Sequence, residues 1–377
     1  GYLPYTSQES HSGISRIKFE ATSWEDAESL IWDVLKRCGK QVEQHVNYLS
    51  LLFVLFLKHE YYINRYRNTV EFQQVDSDQA INTLKNMSQN FYQIVREYED
   101  RASSSQLPQQ ERSPRAATKI VRHYLQLFSQ FKNLSNSAVS VELYSIFEML
   151  MSNSDEIIAS EALRCAYRYN LPRHQGVQEV LGKLTMNNEY RSAMLTWDLR
   201  KHLDEMGSSK ARRALASDIC CISFGKLMHR KGRSAKADLH TKRASVLSFL
   251  SSLKGLELEK LFLLLTREFT GFRINQWSDF NPVVSLSVRP TVQLGFINLF
   301  HDVVQQLGFK VVPFLEKCLQ LVIGLLVFDA KQETTVAMVS DDAKNESSID
   351  ARKLRSTCFR VFSFVFAKFK DFNYSAE

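Results

Sequence analysis

Apolar residues along this chain recur at intervals of three and four, the spacing that places them on one face of an α-helix. Between Trp24 and about Tyr66 there are two such stripes. Leu30, Ile31, Val34 and Leu35 form the first; Tyr48, Leu49, Leu52, Phe53, Phe56 and Leu57 form the second. Cys38-Gly39-Lys40 interrupts them and reads as the turn between two helices. A third helix is expected from Asp76 to Tyr98, burying Ile81, Leu84, Phe91, Ile94, Val95 and Tyr98. Residues 101–117 then change character. Ser103-Ser104-Ser105, Pro108, Gln109-Gln110 and Pro114 make a polar, proline-punctuated stretch, expected to be a flexible linker.

Beyond it the pattern resumes in pairs. Ile120 to Leu134 carries Val121, Tyr124, Leu125, Phe128 and Phe131, and Val141 to Met151 carries Leu143, Ile146, Phe147 and Leu150. The next helix, Glu156 to Tyr169, stops before Leu171-Pro172, because the residue preceding a proline is pushed out of the helical region. Val177, Val180, Leu181 and Leu184 begin another.

The last third shows the unit most clearly. Leu294, Ile297, Phe300, Val304 and Leu307 lie on one helical face. Gly308 can end that helix, and Pro313 can open the next, since proline suits a first turn. The second helix buries Leu315, Cys318, Leu319, Val322, Leu325 and Leu326. An acidic loop, 340–348, follows, and a final helix carries Leu354, Cys358, Val361, Phe362, Val365, Phe366 and Phe369. Helix, short turn, helix at a period of roughly 40–47 residues describes HEAT or armadillo repeats. No such pair can bury its apolar faces alone, so neighbours must stack. The expected fold is therefore an all-α helical-repeat solenoid, with this chain a fragment of a longer array; a compact helical bundle is the alternative. The expected organisation is N-terminal repeats over 1–100, the linker 101–117, HEAT-like repeats over 118–275, and C-terminal repeats over 276–377.

Composition agrees with that reading. The chain has 377 residues with only 13 Gly and 7 Pro, against 25 Phe and 14 Tyr. A β-sandwich would need a turn signal every 8–12 residues or so. The six cysteines (Cys38, Cys165, Cys220, Cys221, Cys318 and Cys358) form no CxxC pair and have no histidine at zinc-ligand spacing. Adjacent Cys220 and Cys221 are expected as packed thiols on a helix, and the set as a whole suggests a reducing, intracellular compartment. The longest apolar runs, Tyr48–Leu57 and Leu319–Phe328, fall short of the roughly 18–20 residues of a membrane span and are expected as buried core helices. There is no secretory signal, and the first residue is Gly1, as expected of a fragment or a processed chain.

Motifs for chemistry do not emerge. Gly225-Lys226 lacks the glycine five residues earlier and the following Ser or Thr of a phosphate-binding loop. HExxH and GxSxG are absent. Asp341-Asp342 sits in the expected solvent loop, and His45 and His59 are far apart. The expectation is a non-enzyme with no cofactor, no metal and no small-molecule substrate.

Charge changes the picture at one place. The net charge is +7, and Lys226 to Arg243 holds Lys226, Arg230, Lys231, Arg233, Lys236, Lys242 and Arg243 with His229 and His240, against the single acid Asp238. Gly232, Ser234, Ala235 and Ala237 suggest a loop in its middle. Such a loop can neutralise several backbone phosphates and release their counterions, giving salt-sensitive, sequence-independent RNA binding. A solvated loop or an import signal built on Arg230-Lys231 and Lys242-Arg243 has the same composition. No aromatic residue is interleaved in the run for base stacking.

Leu215–Ser252 resembles a known family. Phe224-Gly225-Lys226-Leu227-Met228, Arg230-Lys231-Gly232-Arg233 and Lys242-Arg243-Ala244-Ser245-Val246-Leu247-Ser248-Phe249-Leu250 are similar to the core of the DRIM (down-regulated in metastasis) family. These are very large HEAT-repeat proteins counted as U-three-snoRNA-associated protein twenty. Upstream, Glu161-Ala162-Leu163-Arg164-Cys165, Tyr190-Arg191 and Leu195 fit in order. Downstream, Gln293 to Asn298, Val303 to Gly308, Pro313 and Ile349–Tyr374 do so too. The resemblance covers roughly 155–377, while 1–150 matches only as generic helical repeat. One departure is that Ser223 and Phe224 stand before the Gly-Lys, where the family carries a bulky aliphatic residue and Tyr.

The resemblance implies a non-catalytic scaffold of the small-subunit processome in the nucleolus. Its partners would be pre-ribosomal RNA and other small-subunit assembly factors, in support of pre-rRNA processing, and it implies no membrane. A HEAT-repeat nuclear transport receptor or adaptor that grips protein cargo is the other class with this architecture. Such receptors tend to be acidic, whereas this chain is basic.

Overall fold

The computed structural model describes residues 24–61, 71–103, 113–228, 236–269, 277–279, 288, 290–336 and 344–372. Among these the regular structure is entirely helical. The main helices are α1 (Trp24–Arg37), α2 (Val46–Phe56), α3 (Glu71–Lys85), α4 (Gln89–Ser103), α5 (Pro114–Phe128), α6 (Ser140–Met151), α7 (Glu156–Tyr167) and α8 (Gln178–Thr185). They continue as α9 (Tyr190–Thr196), α10 (Leu199–Glu205), α11 (Ser209–Met228), α12 (Lys236–Leu250), α13 (Glu259–Thr266), α14 (Pro290–Leu307), α15 (Val312–Val336) and α16 (Lys344–Lys368).

Local chemistry sets several of these boundaries. Ser113 accepts a hydrogen bond from the Ala116 N–H at 3.2 Å, with Pro114 in the first turn of α5. Asp155 caps α7 by accepting from the Ile157 and Ile158 N–H groups. Gly308 stops α14 in the left-handed region, at φ 58°, which costs glycine little. The turn at Cys38 and the pairing of α14 with α15 fall where the pattern predicted.

Two expectations are corrected. The helix expected over Asp76–Tyr98 is two, because Asn86-Met87-Ser88 breaks it and Ser88 Oγ accepts from the Phe91 N–H to start α4. The helix expected from Ile120 to Leu134 begins at Pro114 and ends at Phe128. Of the 101–117 linker, 101–103 finish α4 and 114–117 open α5, with 104–112 outside the described residues. Of the acidic loop 340–348, residues 344–348 belong to α16 and 340–343 lie outside them. The 275/276 boundary does as well.

Contacts between equivalent helices fix a two-layer stack. Cys165 Sγ meets the Leu125 carbonyl and Arg168 Nε the Ser129 carbonyl, separations of 40 and 39 residues, so α7 runs parallel to α5. In the same way α1 and the turn after it run beside α5: Lys36 reaches Gln126, and the carboxylate of Glu43 takes the Asn133 N–H, both 90 residues away. Arg243–Asp302, 59 apart, sets α12 beside α14, and Arg360–Asn298, 62 apart, sets α14 beside α16. One layer thus carries α1, α5 and α7 and, beyond the inserted α8 and α9, α12, α14 and α16; the other carries α2 and α6, with α3 packed on both, then α11, α13 and, through Phe262 and Phe314, α15. The step from helix to equivalent helix is not a constant 40–47 residues. The hairpin α3–α4 is inserted after the first pair, and α8–α10 are inserted between α7 and α11.

Stacking is aromatic at both ends. Phe53 of α2 lies 5.4 Å from Phe128 of α5 and 6.3 Å from Phe147 of α6, which seats the first pair on the second. Phe262 of α13 stacks on Phe314 of α15 at 4.2 Å, with Trp277 on both. Each fully buried Phe contributes about 1.5–3 kcal/mol relative to exposure. Cys220 and Cys221 are buried free thiols on α11, as expected, and Cys38, Cys165 and Cys318 form no disulfide. No described helix is long and apolar enough to cross a membrane.

Candidate nucleic-acid interface

The basic run joins α11 of one layer to α12 of the other, at the edge where one repeat hands over to the next. It is not a loop from end to end. Lys226 lies within α11 and Lys236 opens α12, so only 229–235 separate the helices, and these lie outside the described residues. Arg230, Lys231 and Arg233 fall there, and so does the side chain of Lys236.

Lys226 is buried at 6 % exposure, and its ammonium donates to the Thr185 carbonyl and, at 2.9 Å, to Asn187 Oδ1. Thr185 ends α8, so the cation meets the negative end of that helix, where a positive charge is stabilising. Arg243 is half-buried; it donates to the Leu227 carbonyl at 3.4 Å and pairs with Asp302 at 3.2 Å. Both cations meet partners inside the fold, at the two helical ends of the run. Lys242 is half-buried, with its Nζ 5.3 Å from the centroid of the Tyr190 ring. Lys226 Nζ approaches the same ring at 5.6 Å.

Gly225 explains the Gly-Lys pair. A Cβ built on it would lie 2.6 Å from the Asn153 carbonyl oxygen and 3.2 Å from that of Ser152. Only glycine lets α11 approach the end of α6 so closely. Gly225-Lys226 is therefore a packing joint: the glycine admits one neighbouring backbone, and the lysine holds another.

Beside this joint is a cleft of about 340 Å³ where the C-terminal ends of α6, α11 and α13 face the start of α14. Its walls include Phe224, Met228, Phe269 and Phe296, with Asn153, Arg267 and Thr291 among its polar groups. The Arg267 guanidinium lies 5.3 Å from the centroid of the Phe224 ring, pairs with Glu268 at 3.1 Å and donates to Ser152 Oγ at 3.4 Å.

Sequence reasoning missed a buried ionic network in the same helix. Asp218 is fully buried; it takes hydrogen bonds from Arg173 Nε and His174 Nε2, both at 2.9 Å, and from the Tyr144 hydroxyl at 3.1 Å. Arg173 donates to that hydroxyl as well. An ionised carboxylate only accepts, so His174 carries its proton on Nε2. Burial pushes the Asp218 pKa up, but the His174 hydrogen bond and the Arg173 charge outweigh it and hold the carboxyl below its usual range. An Asp–His pair is half of an acyl-transfer triad. Here both side chains are at most 1 % exposed, so substrate does not reach them. The signal was available: Asp218 is the one acid in the apolar run Leu215–Phe224, which demands a buried partner. A second, half-buried pair, Lys260–Glu148 at 2.7 Å, ties α13 to α6. Burial works to lower the Lys260 pKa, but the Glu148 charge outweighs it and holds it above its ordinary value. Among the described residues no group of three or more side chains is arranged to hold a metal.

The family profile described as U3 small nucleolar RNA-associated protein 20, N-terminal, matches residues 115–377. The chain belongs to this family. The match opens at α5 and so reaches upstream of the resemblance read over roughly 155–377. Residues 24–103 precede it, yet α1 and α2 stack on α5 and α6 with the family region's own parallel register. Within the family, the Gly-Lys pair of this chain is the packing joint just described.

Proposed function

We propose that the chain is part of a non-catalytic scaffold of the small-subunit processome, supporting pre-rRNA processing and assembly of the small ribosomal subunit in the nucleolus. Family membership carries the reading. The architecture supports it, since a stack of helix pairs presents long edges and faces to partners rather than one enclosed site. The expected partners are pre-ribosomal RNA and other assembly factors in a large ribonucleoprotein.

The RNA contact is assigned to Arg230, Lys231, Arg233 and Lys236, with Lys242 at its base. Four to five phosphates neutralised in this way give binding that is strongly salt-dependent and indifferent to sequence. Full-length tagged protein is expected to sediment with large particles containing pre-ribosomal RNA and U3 small nucleolar RNA. Recovery only in light fractions without either RNA rejects the scaffold reading. Replacing Arg230, Lys231, Arg233 and Lys236 with Ala is expected to weaken RNA binding across all sequences and to flatten its salt slope by about 3–4. Unchanged affinity assigns the run to solvent.

A further inference from the structure

The outward face of α16 brings positive charge and aromatic rings to the surface together. From Ala351 to Lys370 the sequence has six Lys or Arg and five Phe, and no Asp or Glu. The equivalent helix before it, α14, has no Lys or Arg, so the charge belongs to α16 and not to the layer. Arg352, Phe359 and Phe366 recur at intervals of seven, two helical turns, and so share one line along α16. All three are exposed, Phe359 at 62 % and Phe366 at 47 %. From this arrangement we infer that the outer face of α16 is a second RNA contact. Unpaired bases stack on Phe359 and Phe366, while Arg352 and Arg360 hold the backbone phosphates. The inference rests on the reading of the chain as a scaffold that meets pre-ribosomal RNA, and places a contact away from the connection between α11 and α12.

Three observations favour single-stranded RNA as the occupant. First, the rings are accessible and braced. Phe359 and Phe366 stand about 10 Å apart along the helix, and half-buried Phe362 stacks on Phe366 at 5.9 Å with the rings inclined at 16°. Base–aromatic stacking tolerates any sequence, because every base has a π-face. Second, the charges are available to an anion. Arg352 and Arg360 are exposed and, among the described residues, form no ion pair. Arg360 donates to the neutral Asn298 Oδ1 at 3.0 Å, which leaves its charge uncompensated. Lys368, by contrast, is turned inward onto the Val304 and Gln305 carbonyls. A guanidinium suits phosphate, which it can bind through two parallel hydrogen bonds. Third, no carboxylate opposes a polyanion here: α16 has none from Ala351 on, and the single acid of α14, Asp302, pairs with Arg243. A packing helix would want a continuous apolar seam, whereas Ser356 and Ser363 are exposed among the rings. A duplex keeps its bases in its own stack and offers this face phosphates alone.

The experiment titrates fluorescent single-stranded and duplex RNA of equal length with the full chain at several salt concentrations. It compares wild type, a ring variant (Phe359→Ala with Phe366→Ala), an arginine variant (Arg352→Ala with Arg360→Ala) and the fourfold Ala variant of the connection. All four α16 positions are exposed, circular dichroism and thermal unfolding confirm the fold, and Phe359→Ala alone serves if the double ring variant unfolds early. The ring variant is expected to bind single strands about tenfold more weakly, with duplex affinity and the salt slope retained. The arginine variant is expected to weaken binding of both RNAs and to flatten the single-strand salt slope by about 1.4. Phe359→Trp is expected to bind single strands at least as well as wild type. Unchanged single-stranded affinity in the ring variant overturns the inference, as does an equal loss for duplex. So does a change in self-association alone, measured by sedimentation, in which case the face packs against protein. If both α16 variants are silent while the fourfold variant loses both RNAs, the α16 contact falls and the connection stands. The reverse pattern leaves α16 as the contact. If wild type binds neither RNA, both fall.

Discussion

Lys226 and Lys242 belong to one basic run in the sequence and approach the same Tyr190 ring, yet they sit in two different environments in the molecule. Lys226 has its ammonium between the end of α8 and Asn187, out of water. Lys242, in α12, is half-buried. A buried cation is tied to its partners and stabilises the joint only because they are there; removing either leaves an unsatisfied group. A cation at the surface contributes little to a fold, and its charge acts on whatever arrives from outside. Neighbouring charges of one sign are therefore no guide to shared function. What separates them here is burial.

The sharpest way to test that contrast is at Asp218, the most enclosed charge of the same helix. Asp218→Ala strands the Arg173 charge and leaves the His174 N–H unpaired, and is expected to destabilise the chain by about 3–5 kcal/mol. Denaturant unfolding measures this; a loss under about 1 kcal/mol would mean that the network is wet and loose. The pH dependence follows from the direction of the shift. The folded carboxyl titrates below its unfolded value, so its contribution is complete above about pH 4. It is lost as pH falls through the lowered folded value, and Asp218→Asn should remove that acid-side loss.

Gly225→Ala forces a Cβ against the Asn153 carbonyl and should cost about 2 kcal/mol, despite the better helix propensity of alanine. A stabilised variant would show that α11 and the end of α6 can separate freely. The smallest effect is the most discriminating. Lys226→Met keeps the stem and leaves the Thr185 carbonyl unpaired, with an expected cost of about 1–2 kcal/mol and unchanged RNA affinity. The fourfold Ala variant of the connection should do the reverse, with stability within about 0.5 kcal/mol of wild type and RNA binding lost. If Lys226→Met also lowered RNA affinity, the division between joint and connection would collapse.

The helical class and the stacking principle were legible because apolar spacing reports a buried face directly: Leu294 to Leu307 and Leu315 to Leu326 form α14 and α15 much as their periodicity requires. The break at Asn86-Met87-Ser88 was harder to see. The apolar period runs on across it, and only the Ser88 cap betrays a new helix. The repeat length was misjudged for a related reason. Inserted helices such as α3–α4 and α8–α10 carry the same periodicity as the stack itself.

The candidate site was legible only in part. Its charge is written along 226–243, but burial is not, so Lys226 and Arg243 looked no different from Arg230. The run contains no aromatic residue, whereas the fold sets Phe224, Phe269 and Phe296 around a cleft at its base.

What the sequence alone determined is the set of properties that depend on near neighbours: helices, their buried stripes, their caps and stops, and the place where positive charge accumulates. Contacts between residues 40, 59 or 90 positions apart were decided by tertiary structure. Helices stack wherever their apolar faces fit, and the lengths of the insertions between them leave no periodic trace. For that reason the partners of Asp218 and the role of Gly225-Lys226 became visible only in the packed molecule.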